Sequence, residues 1–263
     1  MCLILLAVDA HAEYRLVLAA NRDEFFARPS APAGPWPEAE HVIGGRDLEK
    51  GGTWLALARG GRLAALTNFR GGGRRKEGSR SRGLLVSDFV RSNEHSRIYL
   101  DAVHANAELY DGFNLIVADG EEVWHYNNIE RQSTPIARGV HGLSNHLLDT
   151  PWPKVTRGKA AMASALAQPR EALIAGLFEA LREERRAADH ELPRTGVSLE
   201  WERVLSPAFI ATPGYGTRAS TVVLIERSGA ATFIERSFDP DGESPSAIRS
   251  FDVASQPASL STP

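Results

Sequence analysis

The sequence predicts an α+β fold in which antiparallel strands are covered by helices. Three observations carry this. Apolar runs of strand length come in pairs around short polar or glycine turns, at the start, middle and end of the chain. Segments with helical spacing are grouped between those pairs. No strand–helix–strand alternation recurs, so a parallel sheet is not expected. The pattern leaves open whether the strands form one sheet or two.

Residues 3–8 and 14–20 are continuous apolar runs joined by a polar turn, and they read as a hairpin buried on both faces. The second run ends in Asn21, Arg22, Asp23 and Glu24, a polar cluster that suits a site better than a core. Residues 28–40 are proline-rich and read as irregular loop. Paired glycines bracket residues 44–54 (GGRDLEKGGTW). Residues 53–58 and 62–67 predict a second hairpin over Gly60 and Gly61, leading into Asn68 and Phe69. Residues 70–82 form a basic, glycine-rich loop that reads first as a flexible solvated segment and second as an anion site, for which Arg70 is the best-placed cation. Spacing over 83–92 puts Leu84, Leu85, Phe89 and Val90 on one helical face, and 95–110 reads as a second helix. Residues 113–118 and 123–126 predict another hairpin, and 140–144 a short strand ending at Asn145. Two helices follow over 152–168 and 170–186, then an irregular polar stretch over 189–203. Residues 209–212, 220–226 and 231–237 close the sheets. One domain is expected over 1–251, with 252–263 a frayed, disordered tail.

A chain of 263 residues, 43% hydrophobic and 24% charged, can bury a sizeable core. Its net charge of −3 supplies no basic field for nucleic acid or an anionic membrane. Its single cysteine excludes an internal disulfide and any multi-cysteine metal site. The histidines are scattered without helical pairing, so no metal centre is expected. The N-terminal apolar run has no basic residue before it and breaks at Asp9, unlike a signal peptide. No apolar stretch approaches the roughly 18 residues of a membrane span. A cytoplasmic protein is expected.

Cys2 is the residue with most chemical potential. Read alone, a cysteine in an apolar strand is a small hydrophobe. Removal of Met1 before so small a residue exposes a thiol and an α-amine together, with ordinary pKa values of about 8.5 and about 7.7–8.0. Such an amine can accept the thiol proton near neutral pH, so nucleophile and base arrive on one residue. The site then needs an orienting group, oxyanion donors and a positive charge. Asp23, Asn68, Asn145 and Arg218 stand at strand ends and supply those types. Asparagine at a strand end is also an ordinary turn residue.

The segment LAANRDEFFARP contains Asn-Arg-Asp-Glu. The start MCL and the segments GGRD (44–47), GGTW (51–54), TNFR (67–70), GFN (112–114), GLSN (142–145) and TRAST (217–221) accompany it. Together, over about residues 1–240, they resemble the NRDE, or transport-and-Golgi-organisation, family in order and spacing. That family is distantly similar to the penicillin V acylase and bile salt hydrolase group of Ntn hydrolases. The resemblance implies a four-layer αββα sandwich of two antiparallel sheets and an N-terminal cysteine that cleaves linear amides through an acyl-enzyme. It implies Cys2 as nucleophile, Asp23 holding the α-amine and thiol, Asn68 and Asn145 at oxyanion and substrate contacts, and Arg218 near the thiol. The acylases carry Arg-Asn-x-Asp, whereas Ala20 stands here in the arginine's place and Arg22 precedes the aspartate.

Asn21, Arg22, Trp54, Phe69, Arg70 and His146 are the neighbours expected to contact substrate. The expected activity is that of an amidohydrolase or acyltransferase acting on an acyl amide, lactam or thioester, without a required cofactor. The alternative implied by the family is a non-catalytic binding or trafficking protein for haem or for acyl-CoA and other lipids. On that reading Cys2 is incidental and His146 a candidate contact to haem iron.

Overall fold

The N-terminal hairpin sets the architecture. β1 (Cys2–Val8) pairs antiparallel with β2 (Tyr14–Phe25), with Cys2 opposite Arg22. Side chains alternate across a strand, and both faces are apolar. Ile4, Leu6 and Val8 enter one core while Leu3, Leu5 and Ala7 enter another. The hairpin is therefore an inner strand pair with a layer on each side. These observations come from a computed structural model that describes residues 2–71, 78–120, 122–240 and 245–254.

Two sheets follow. The second is a meander of β3 (Ser30–Trp36), β4 (Ala39–Asp47), β5 (Leu55–Ala58), β6 (Arg62–Asn68), β7 (Phe113–Ala118), β8 (Val123–Asn127) and β9 (Gln132–Pro135) in chain order. The first runs from β10 (Gly139–Leu143) through β1 and β2 to β12 (Tyr215–Glu226), β13 (Ala231–Phe238) and β14 (Pro245–Val253). The two-residue β11 (Ala211–Thr212) pairs with β12. Every ladder among the described residues is antiparallel.

α1 (Gly83–Arg91) and α2 (Ser96–Ala105) pack on the second sheet through Phe89, Tyr99 and Leu100. α3 (Pro153–Ala165) and α4 (Arg170–Leu181) pack on the first through Val155, Met162, Leu173 and Leu177. The third core lies between the sheets, where Leu6, Leu18 and Phe233 meet Leu57, Leu63 and Ile116. The result is the four-layer αββα sandwich expected from the motifs. Each fully buried leucine in it contributes about 1.5–3 kcal/mol, which fixes the two sheet ends that bear the site. No helix among the described residues is long and apolar enough to cross a membrane.

Several elements differ from the sequence reading. β2 continues to Phe25, through the polar cluster where it was expected to stop. The proline-rich segment 28–40 holds β3 and the start of β4. Proline is tolerated there because β3 is an edge strand with register shifts at Ala31/Gly34 and Pro35/Trp36. Leu84 is exposed rather than on the buried face of α1. α4 ends at Leu181, short of 186. The stretch 189–203 contains the short helix α5 (Leu199–Val204), whose N-cap Ser198 accepts a bond from the Trp201 amide at 3.3 Å. β14 runs through Asp252 and Val253, past the expected boundary, and Val253 is buried between the sheets. Residues 72–77 of the basic loop and 255–263 of the tail lie outside the described residues.

Candidate active site

Alternation along β2 divides the polar cluster between two environments. Arg22 follows Leu18 and Ala20 toward the inter-sheet side, while Asn21 and Asp23 follow Val17 and Ala19 toward the helices. Cys2, opposite Arg22, shares the inter-sheet side with Ile4 and Leu6.

On that side a pocket of about 390 Å³ opens at the sheet ends. Cys2, Arg22, Asp23 and Glu24 line it from the first sheet; Asp47, Trp54, Leu66 and Asn68 from the second; Ser79 to Gly83 form a further wall. The Arg22 guanidinium lies 4.2 Å from the centre of the Trp54 ring, a cation–π contact. The paired glycines make room for this wall. A Cβ on Gly45 would lie 2.2 Å from the Trp54 ring. Gly52 has a φ of 78°, and a Cβ there would lie 2.3 Å from the Gly83 main chain. At the mouth, Arg28 bonds Asp47 at 2.7 Å and approaches Glu24 at 3.8 Å. A larger groove of about 660 Å³ runs between α3 and α4, but its walls are mostly small helix-surface residues such as Ala161, Ala172 and Gly176.

Behind the pocket lies a closed set of charges. Asp23 is buried, and its Oδ1 accepts a bond from the Thr217 hydroxyl at 2.7 Å. Burial raises its pKa, and Lys154, Thr217 and Arg22 oppose that rise. Lys154, in the first turn of α3, is 2% exposed and donates to the Leu205 carbonyl at 3.0 Å. Burial lowers its pKa to about 8, and the Asp23 charge acts against this. Arg70 and Glu202 form a buried ion pair at 2.7 Å, and Thr195 donates to Glu202 through both its amide and its hydroxyl. Burial also raises the Cys2 thiol pKa, and the Asp23 carboxylate adds to the rise. A bond from the Asp23 main chain and the Arg22 charge pull it down.

The sequence pattern of the family described as Transport and Golgi organisation 2 matches residues 1–240. The chain belongs to this family. It is 39% identical to the Transport and Golgi organization protein 2 homolog of Bos taurus over 261 residues, covering 90% of this chain and 93% of that protein. The human homolog is 37% identical over the same coverage. The Drosophila melanogaster protein is 32% identical, covering 92% of this chain and 95% of its own length. Among solved structures, the C2A mutant of a conjugated bile acid hydrolase from Clostridium perfringens aligns at TM-score 0.47, with 9% identity and coverage of 96% and 92%. A Caenorhabditis elegans N-acylethanolamine-hydrolyzing acid amidase ortholog aligns at 0.41, with 10% identity and coverage of 84% and 92%.

The motif residues of this Transport and Golgi organisation 2 chain are put to unequal uses. Cys2, Arg22, Asp23, Trp54 and Asn68 meet at the pocket. Asn145 is fully buried instead, and its Nδ2 donates to the Asn68 carbonyl at 2.8 Å. Asn21 turns away and ties Leu181 and Ala208 through its amide, at 2.8 and 2.7 Å. Arg218 is the extra residue of a bulge, since Thr217 pairs with Asp23 and Ala219 with Arg22. The bulge aims it at the Phe25 and Arg28 carbonyls, outside the lining of the Cys2 pocket. Phe69 packs on His146 at 5.0 Å, and His146 on Trp152 at 5.8 Å, with its Nδ1 3.0 Å from the Thr150 hydroxyl. His146 is thus outside the lining of the Cys2 pocket. No group of three His, Cys, Asp or Glu side chains suited to a metal occurs among the described residues.

The sequence reading missed Lys154, Glu202 and Thr217. Lys154 had a signal: it shares a helical face with Gly158, Met162 and Ala165, where a charge is out of place. Glu202 had none, because its helix is only six residues long.

Proposed function

We propose that this chain is an N-terminal-cysteine acyl transferase or amidohydrolase acting on a small acyl amide or thioester. The observation that carries the reading is the meeting of Cys2, Arg22 and Asn68 in one pocket, with the buried Asp23 carboxylate directly behind the nucleophile. With Met1 removed, the Cys2 amine accepts the thiol proton and the sulfur attacks the acyl carbon. The Asn68 amide donates to the oxyanion as the carbonyl becomes tetrahedral. Collapse breaks the bond to the amine or thiol leaving group, which takes the proton from the Cys2 ammonium. Water or an acceptor amine then attacks the thioester, giving its proton to the Cys2 amine, and the thiol is restored.

Asp23 orients the amine, and Lys154 and Thr217 oppose the rise that burial imposes on the Asp23 pKa. The lining favours a compact, polar acyl substrate over haem, because charged and polar groups outnumber Phe25, Trp54 and Leu66. We place this activity in the cytoplasm.

The test is turnover of a panel of N-acyl amides and acyl thioesters by wild type, Cys2→Ser and Cys2→Ala. Loss of turnover in Cys2→Ala is expected. Equal turnover by Cys2→Ala and wild type would overturn the reading.

A further inference from the structure

We propose that Thr67, Asn114 and Ser144 are positioning residues for Cys2, joined in a buried hydrogen-bonded relay that ends on the Cys2 carbonyl. The relay crosses from the second sheet to the first. Its donors and acceptors run in one direction as far as the Ser144 carbonyl, which fixes the Ser144 main chain, and the Ser144 hydroxyl then makes the last bond. Asn114 Oδ1 accepts from Asn127 Nδ2 at 2.8 Å and lies 3.0 Å from His125 Nε2. Burial lowers His125 to about 4, so at neutral pH the ring is uncharged and its Nε2–H tautomer is the donor. Asn114 Nδ2 donates to Thr67 Oγ1 at 3.1 Å and, with its other proton, to the His146 carbonyl at 2.9 Å. Thr67 Oγ1 spends its own proton on the Ser144 carbonyl at 2.7 Å. Ser144 Oγ donates to the Cys2 carbonyl at 3.0 Å, with Asn145 Oδ1 a longer second acceptor at 3.4 Å.

Asn114, Asn127 and Thr67 are at most 1% exposed, and Ser144 is 3% exposed. Two sheets could be held here by apolar side chains without the desolvation that this network incurs. What apolar side chains cannot do is bond the Cys2 carbonyl. The β1–β10 ladder begins only at Ile4 opposite Leu143, so Cys2 lies beyond its end. Ser144, the next residue after β10, supplies the missing bond from that side. In a chain that starts at Cys2, no preceding peptide holds the nucleophile. The pairing with Arg22 and this carbonyl bond then fix the torsion that aims both amine and thiol. The inference rests on the reading of Cys2 as nucleophile. It also gives a use to Thr67, Asn114 and Ser144, which occupy the TNFR, GFN and GLSN segments without touching the pocket.

The experiment uses the full chain, whose only thiol is Cys2. Iodoacetamide alkylation is followed against pH, with thermal unfolding alongside, for wild type, Ser144→Ala, Thr67→Val and Thr67→Ser. Losing the aim at the Asp23 main chain and Arg22 raises the alkylation midpoint. The rate at pH 7 is expected to fall about tenfold in Ser144→Ala and Thr67→Val, on the scale of a modest misplacement. Thr67→Ser keeps the hydroxyl and is expected to stay within about twofold of wild type, as orientation is preserved. With an acyl substrate, kcat falls in step while KM holds. Wild-type alkylation profiles in Thr67→Val and Ser144→Ala, even with lowered unfolding temperatures, would overturn the proposal and leave the relay as a stitch between sheets. Should Ser144→Ala not fold, the Thr67→Val and Thr67→Ser pair decides alone. Slower alkylation in a protein that turns over no acyl compound would support the positioning role while refuting acyl transfer.

Discussion

Arg22 and Asp23 are neighbours in the chain and inhabit opposite environments. Arg22 faces the pocket beside Cys2, itself buried with its guanidinium 4.2 Å from the centre of the Trp54 ring. Asp23 also reaches the pocket wall, but its carboxylate is held from behind by Thr217 and faces the charge of Lys154, in a region closed by α3 and α5. The pocket side is polar and opens to solvent through Glu24, Arg28 and Asn68, with Arg22 largely covered. The rear side is dry, so its charges act on one another and on Cys2 with little screening. A strand covered on both faces thus gives two adjacent residues different surroundings, one at the pocket and one in the buried charge cluster.

The largest expected effect breaks the rear side. Arg70→Met leaves Glu202 buried without its partner and is expected to cost about 3–5 kcal/mol of stability in denaturant unfolding. Arg70→Met/Glu202→Met removes both charges and should recover much of that loss. A small cost for the single variant would mean that the rear cluster is wetter than its burial indicates.

The two asparagines sharpen the comparison next. Asn68 lines the pocket, and Asn145 holds Asn68 from inside. Asn68→Ala is expected to lower kcat by about 10²–10³ with an unchanged unfolding temperature, as for loss of an oxyanion donor. Asn145→Ala is expected to cost about 1–3 kcal/mol of stability, because it leaves the Asn68 carbonyl unsatisfied. Steady-state kinetics beside thermal unfolding separates the two.

Lys154 gives a pH signature. Its folded pKa of about 8 lies below its ordinary 10.5. Below pH 8 both folded and unfolded states hold the proton, and burying the charge costs its full amount. Between pH 8 and 10.5 the unfolded state holds more protons, so stability rises with pH. Relative to Lys154→Met, wild type should gain up to about 3 kcal/mol across that window. A flat difference would show that burial leaves the Lys154 pKa at its ordinary value. The smallest effect belongs to the pocket wall: Trp54→Leu removes the Arg22 contact and should change KM by an amount equivalent to about 0.5–2 kcal/mol.

The sequence made the hairpins and the layer order legible because burial on both faces writes itself as continuous apolar runs. The nearness of Asp23 to Cys2 was legible for the same reason, since a tight hairpin returns the end of one strand to the start of the other. Edge strands were not. β3 carries prolines and β9 is mostly exposed, so neither needs an apolar pattern. The division of labour between Asn68 and Asn145 was also hidden, because two asparagines at strand ends look alike until the sheets stack. Arg218 shows the same limit. A one-residue bulge decides where its side chain points, and no residue pattern announces that bulge. Arg70 read as an anion ligand because its partner, Glu202, is far away in the chain.

Intact-mass spectrometry of the full chain, quenched during incubation with an acyl thioester, tests the central claim most directly. The expected spectrum shows Met1 absent and one acyl group added, with that adduct lost in Cys2→Ala. Retention of Met1, or an unmodified mass throughout turnover, would contradict a nucleophilic Cys2.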